Sequence, residues 1–265
     1  MKKCLIVSLL FLLVLSLIVS CISKDKSPSQ KEEEVAEKRG KIFSKTQNKL
    51  VGSYDIKGIN PNGAKYKGKL TIRKVIDAYE IKWQVGEGSY DGTGLVDGDI
   101  LSVAFANDDR TMFGIVVYKI STKEWLNGVW VIHPDNKTGT EICYKSDVTP
   151  PTENYKLISP SQPVEGTYKI SGTSPAVEST IKYSGTVSVI KKGKVYDVNW
   201  SIGEAENYIG VGLANNDLFA VAYAAPQPPG FGIVTYTIEA DGKLTGRWTA
   251  HKAGGVLGTE VWKKQ

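Results

Sequence analysis

The sequence predicts an all-β protein: two tandem, mutually similar antiparallel β-barrels of about eight strands each, behind a leader and a charged tether. Three observations predict this. Residues 90–133 align with residues 208–251 at a constant offset of 118, with 18 of 44 positions identical. Within each copy, apolar residues recur at every second position, as in Tyr196, Val198 and Trp200 between Asp197 and Asn199. That period belongs to a strand with one face on a core. Turn residues punctuate these runs at Lys192-Gly193, Asn215-Asn216, Pro226 to Gly230, Asp241-Gly242 and Gly254-Gly255, giving roughly one strand and turn per 12 residues. Closure into a barrel removes the free edges of a small sheet, and a two-sheet sandwich is the alternative.

The first 20 residues read as a signal peptide. Lys2 and Lys3 precede a 15-residue apolar run from Leu5 to Val19, too short to span a bilayer comfortably. The run ends in Ile18-Val19-Ser20-Cys21, which resembles the lipobox of bacterial lipoproteins. That resemblance implies cleavage between Ser20 and Cys21, S-diacylglyceryl modification of Cys21 and N-acylation of the freed amine. Two or three acyl chains hold a protein firmly on a membrane surface. The expected location is therefore the extracytoplasmic face of the cell membrane or outer membrane. Residue 22 is Ile, where an aspartate would resemble an inner-membrane retention signal, and its absence leans toward the outer membrane in a Gram-negative cell.

Residues 21–49 form a lipidated tether rich in Lys, Glu, Ser and Gln, too polar to bury a core. A short helix over Glu32 to Arg39 is expected from its helix formers and Glu/Lys spacing. The first β repeat follows at 50–146, a Pro-rich linker at 147–163 is expected to be stiff and extended, and the second repeat runs over 164–265. Outside the gapless stretch, Tyr79-Glu80-Ile81-Lys82-Trp83 matches Tyr196-Asp197-Val198-Asn199-Trp200, and Gly139-Thr140-Glu141 matches Gly258-Thr259-Glu260. Glycines at matching strand sites, Gly92 and Gly94 with Gly210 and Gly212, and Gly128 with Gly246, are expected to permit sharp coiling, bulges or close backbone approach where a small barrel bends. A narrowed backbone path that admits a ligand is the other reading.

The pattern from Gly166-Thr167-Tyr168 through Gly258-Thr259-Glu260 resembles an uncharacterised repeat domain common in exported bacterial proteins. That resemblance covers both copies and implies no assigned activity. The strand count and the Gly-x-Trp signature are also distantly similar to the eight-stranded barrels of the avidin and lipocalin type. Avidin's biotin-contacting residues find no counterparts here, so biotin binding is not implied.

Charge and motifs narrow the function. The chain carries 33 basic and 28 acidic residues, and loss of the leader removes two lysines and no acid. So small an excess argues against nucleic acid as a partner. No zinc-protease, Cys-x-x-Cys, phosphate-loop or nucleophile-elbow pattern occurs, and no cofactor or metal is expected. Of three cysteines, Cys4 leaves with the leader and Cys21 takes lipid, so Cys143 reads as a semi-buried strand residue. His133 and His251 occupy equivalent positions and read as strand-end residues. Glu141 and Glu260 read as barrel-interior acids or as partners of a cation such as Arg247.

The best binding candidates are aromatic. Tyr79, Trp83, Tyr118 and Trp130 recur as Tyr196, Trp200, Tyr236 and Trp248, and such rings line a ligand cavity or fill a barrel equally well. The expected function is a membrane-anchored, non-catalytic binding or adaptor module of the cell envelope. Its partners would be the membrane, through the lipid, and an envelope protein. The alternative is a carrier of a small apolar or sugar ligand, and an unrecognised envelope enzyme comes third. A cavity of about 300 Å³ or more favours the carrier, and a filled interior with an exposed apolar patch favours the adaptor.

Overall fold

The structure, a computed structural model, describes residues 50–175, 180–204, 206–225 and 230–265. The leader, Cys21, the tether with its expected helix, and residues 226–229 of one expected turn lie outside these. The first barrel comprises β1 (Gly52–Ile59), β2 (Lys65–Val75), β3 (Ala78–Val85), β4 (Gly88–Asp97), β5 (Ile100–Asn107), β6 (Phe113–Ile120), β7 (Trp125–Ile132) and β8 (Gly139–Tyr144). The second comprises β9 (Gly166–Pro175), β10 (Thr180–Lys192), β11 (Val195–Ile202), β12 (Glu206–Asn215), β13 (Leu218–Ala225), β14 (Gly230–Ile238), β15 (Leu244–Ala250) and β16 (Gly258–Lys264). Each is a closed up-and-down antiparallel barrel, sealed by β1 against β8 and by β9 against β16. The fold is therefore two closed barrels and not two sandwiches.

Alternation sets what each barrel encloses. Tyr54, Ile56, Leu70, Ile72, Ile81, Trp83, Leu101, Val103, Val116 and Tyr118 fill the first interior. Tyr168, Ile170, Val187, Val189, Val198, Trp200, Phe219, Val221, Val234 and Tyr236 fill the second. One end of each is plugged by the residue two positions ahead of its first strand. Leu50 and Val164 are both buried, and their carbonyls accept hydrogen bonds from Tyr54 at 2.8 Å and Tyr168 at 2.7 Å.

Of the roles expected of the interior glycines, the structure displays close approach to the neighbouring strand. In the register, Gly128 lies opposite Tyr118, Gly139 opposite Trp130, Gly246 opposite Tyr236 and Gly258 opposite Trp248. A Cβ at any of these glycines would come closer than 3.0 Å to the facing ring. Missing side chains make room for large rings on the neighbouring strand, so one barrel can hold many aromatics without overpacking.

The expectation that only one strand face is buried fails over part of each barrel. The outward residues Leu95, Ala104, Ala106, Ile115, Val117, Val129 and Val131 of the first barrel pack against Val211, Leu213, Ala220, Ala222, Phe231 and Ile233 of the second. Strands buried on both faces read as continuous apolar runs, as Phe113–Tyr118 and Phe219–Ala225 do. The interface is reciprocal: β14 packs on β4 and β5, while its repeat-equivalent β6 packs on β12 and β13. The two copies thus meet through the same patch, as subunits do across a two-fold axis.

The linker is a clamp as well as a spacer. Asn127 Nδ2 donates to the Glu153 carbonyl at 2.7 Å, and its Oδ1 accepts from Tyr155 N at 2.8 Å. Tyr155 Oη then donates to Asn215 Oδ1 at 2.8 Å, and Ile158 N donates to the same oxygen at 3.1 Å. Tyr155 and Leu157 also pack onto the interface core. One segment is therefore stitched to β7 and to β12. Arg247 completes the join by donating to the Val96 carbonyl at 2.6 Å and to Asp97 Oδ1 at 2.9 Å, so it pairs across the interface and not with Glu141 or Glu260.

Candidate functional site: an aromatic cavity over a buried glutamate

Each barrel carries one acid at the same inward position of its last strand. Glu141 and Glu260 are about 5% exposed. A buried carboxylate is costly unless hydrogen-bonded, and both are heavily bonded. Glu260 Oε1 accepts from Trp200 Nε1 at 3.1 Å, Tyr236 Oη at 2.5 Å and Trp262 Nε1 at 2.5 Å, and Oε2 accepts from Tyr183 Oη at 2.7 Å. Glu141 accepts from Trp83 Nε1 at 3.2 Å, from Tyr66 Oη at 2.8 Å and from Tyr118 Oη. The missing fourth donor has a plain cause, since Cys143 stands where the second copy has Trp262. Burial raises the Glu141 carboxyl above its ordinary value, against the pull of its three donors.

The expected site residues divide into two groups. Tyr79 and Tyr196 are buried toward the plugged ends, opposite Gly94 and Gly212, and line neither cavity. Tyr118 is fully buried on Glu141 and does not line the first cavity. Trp83 and Trp130 line a pocket of about 240 Å³ in the first barrel, with Tyr66, Tyr90, Phe105, Met112 and Glu141. Trp200, Tyr236 and Trp248 line a cavity of about 1100 Å³ in the second, with Tyr183, Tyr208, Tyr223 and Glu260.

The difference in volume has local causes. β9 and β10 are 10 and 13 residues long, against 8 and 11 for β1 and β2. The added length builds a taller wall of Ser171 to Ser174 and Ile181 to Ser184 around the open end. In the first barrel Met112 occupies part of the mouth, where the offset of 118 places Gly230 in the second copy.

The walls of the second cavity are rings set on edge to one another. Tyr208 and Tyr223 are 5.9 Å apart with planes at 87°, and Tyr223 and Trp248 are 6.3 Å apart at 82°. The Tyr208 hydroxyl donates to Glu206 Oε2 at 3.1 Å. Glu204, Glu206 and Glu260 bring three carboxyl groups to the lining and Lys182 a single cation. Tyr183, Tyr208 and Tyr223 are not among the expected site residues. Only the register marks them: it sets Tyr183 opposite Gly172, Tyr223 opposite Gly232 and Tyr208 opposite Trp200.

The remaining candidates sit elsewhere. Cys143 is fully buried, deeper than its semi-buried expectation, with Sγ 3.8 Å from Tyr118 Oη, and burial raises its thiol well above the usual range. His133 stacks on Phe113 at 4.8 Å between ring centres, and His251 on Phe231 at 4.5 Å. His251 Nε2 lies 4.0 Å from Asp91 of the other barrel. Both histidines belong to the interface, and burial lowers both below the ordinary imidazole value.

No protein-family model matches the chain, and no curated protein matches its sequence. Among solved structures it is similar to a protein of unknown function of the DUF3598 family from Nostoc punctiforme, at 10% identity over 83% of this chain and 98% of that one, with a TM-score of 0.28. It is also similar to a double mutant of the vaccine antigen Transferrin Binding Protein B (TbpB) from Haemophilus parasuis, at 8% identity over 79% and 74% of the two chains, with a TM-score of 0.28. The intact Ap-TbpB, with its N and C lobes, matches at 8% identity over 80% and 75%, again with a TM-score of 0.28.

Proposed function

We propose that this protein is a non-catalytic binding protein of the cell envelope, moored by lipid on Cys21, whose second barrel carries a small ligand. The supporting observation is the cavity of about 1100 Å³ lined by Trp200, Tyr208, Tyr223 and Trp248. It exceeds the span typical of small-molecule sites, about 300–1,000 Å³, whereas the pocket of the first barrel, about 240 Å³, falls below it. The carrier reading therefore takes precedence over the adaptor reading, whose condition was a filled interior. Glu260 acts as a structural tie in this scheme: Oε1 accepts from Trp200, Tyr236 and Trp262 and Oε2 from Tyr183, so four donors from the barrel wall hold it in place. In the first barrel, closer packing makes a rigid base for the second.

The test uses a chain beginning at residue 22 and the uncharged fluorescent probe N-phenylnaphthylamine. Uptake of one probe per chain is expected, weakened by Ile202→Trp, which adds a large ring to the cavity wall, and unchanged by Val85→Trp, its counterpart in the first barrel. Uptake that ignores Ile202→Trp, or no uptake, overturns the carrier reading. The anchor is tested separately: a Cys21→Ser chain that stays in the membrane fraction and is still cleaved after Ser20 would refute lipidation.

A further inference from the structure

Resting on the carrier reading, we infer that the ligand of the second barrel is an organic cation, a quaternary ammonium or protonated amine attached to an apolar body. Three features converge on that chemistry. The first is ring geometry. Tyr208, Tyr223 and Trp248 stand nearly perpendicular in sequence, at 87° and 82°, so neighbouring walls present faces in different directions around one space. Ring faces carry the negative end of the aromatic quadrupole, and a box of such faces is how quaternary ammonium groups are held.

Charge is the second feature. Three carboxyl groups and one ammonium contribute to the lining, so the cavity repels anions and lowers the energy of a cation. Glu260 also belongs to the lining, with Oε1 held by Trp200, Tyr236 and Trp262 and Oε2 by Tyr183. The Tyr208 hydroxyl donates to Glu206, which pushes electron density into that ring and strengthens its attraction for a cation.

The third feature is the difference between the two copies. In the first barrel the ring positions are kept as Tyr90, Phe105 and Trp130, with Tyr90 and Phe105 at 86°. The rim acid is not kept: the offset of 118 places Gly88 opposite Glu206 in the repeat. Tyr223 is likewise replaced by Phe105, and the space is less than a quarter as large. Acid, tyrosine and volume therefore occur together in the second barrel.

The experiment measures binding to the full chain in a non-ionic detergent, by calorimetry, of three probes of similar shape: benzyltrimethylammonium, uncharged neopentylbenzene and benzylsulfonate. The same detergent without protein supplies the blank. The cation is expected to bind at least tenfold more tightly than the uncharged isostere, and the anion more weakly than either. The double variant Tyr208→Leu/Tyr223→Leu, which keeps apolar walls and removes two ring faces, is expected to lose that preference and retain neopentylbenzene. Equal binding of cation and isostere overturns the cation assignment and leaves the carrier reading standing. Binding of neither above the blank overturns both, and a preference that survives the double variant shows that the rings do not supply it and overturns the assignment.

Discussion

Tyr236 and Gly246 face each other across β14 and β15, and the ring occupies the space where a Cβ of residue 246 would be. The same relation joins Tyr118 to Gly128 in the first barrel. Gly246→Ala is therefore expected to destabilise the chain by about 3 kcal/mol, the upper range for overpacking a core. In urea unfolding, a Tyr236→Ala background should reduce that cost sharply, because the two residues share one volume. Additive effects would disprove the pairing.

Glu260 is held by two tyrosines and two tryptophans that all donate. Glu260→Gln replaces one acceptor with an NH₂ group aimed at donors, and is expected to cost about 3 kcal/mol, on the scale of a buried unsatisfied polar group. Glu141→Gln should cost less, since Glu141 has three donors and burial already raises its carboxyl toward the neutral form. Denaturant midpoints of the two variants check the order.

The interface histidines make stability fall in mild acid. Burial depresses both His133 and His251 below the ordinary value of 6.5, so the unfolded chain takes up protons first. Their contribution is complete above the unfolded value and is lost as pH falls through it toward the folded one. Between about pH 7 and about pH 5, the urea midpoint of the native chain should drop more than that of His133→Gln/His251→Gln. Equal drops would assign the acid sensitivity elsewhere.

Reciprocity of the interface has a consequence for either half alone. Leu213, Ala220, Ala222, Phe231 and Ile233 are covered only because the first barrel lies on them. Residues 164–265 expressed by themselves should self-associate through that face, since the patch is complementary to its own repeat-equivalent. Sedimentation should show a dimer or larger species, and Ile233→Glu should abolish it. A stable monomeric single barrel would contradict the argument.

Cys143 is enclosed beside Tyr118 and its thiol is raised by burial. Thiolate, not thiol, is the reactive form, so maleimide labelling at neutral pH should be negligible in the folded chain and rapid in urea. Labelling at the same rate in both conditions would place this residue on the surface.

The duplication, the strand period and the paired histidines were legible in the order of residues, because alternation and self-similarity are local properties of a chain. So was the presence of an interior acid, since Glu141 and Glu260 fall at matching places in the last strand. What the glycines do was not legible. Gly246 and Tyr236 are ten positions apart, and only the register of β14 on β15 brings them face to face.

Burial of both faces in β4 to β7 and in β12 to β14 was likewise settled by the docking of one barrel on the other. Its trace in the sequence, a few unbroken apolar runs, equally describes a strand in a thicker single core. The cavity belongs wholly to the tertiary level. Both copies carry nearly the same rings, yet one interior is almost filled and the other is open. Volume is what remains after every strand length, turn and side chain has been placed, so no single position encodes it.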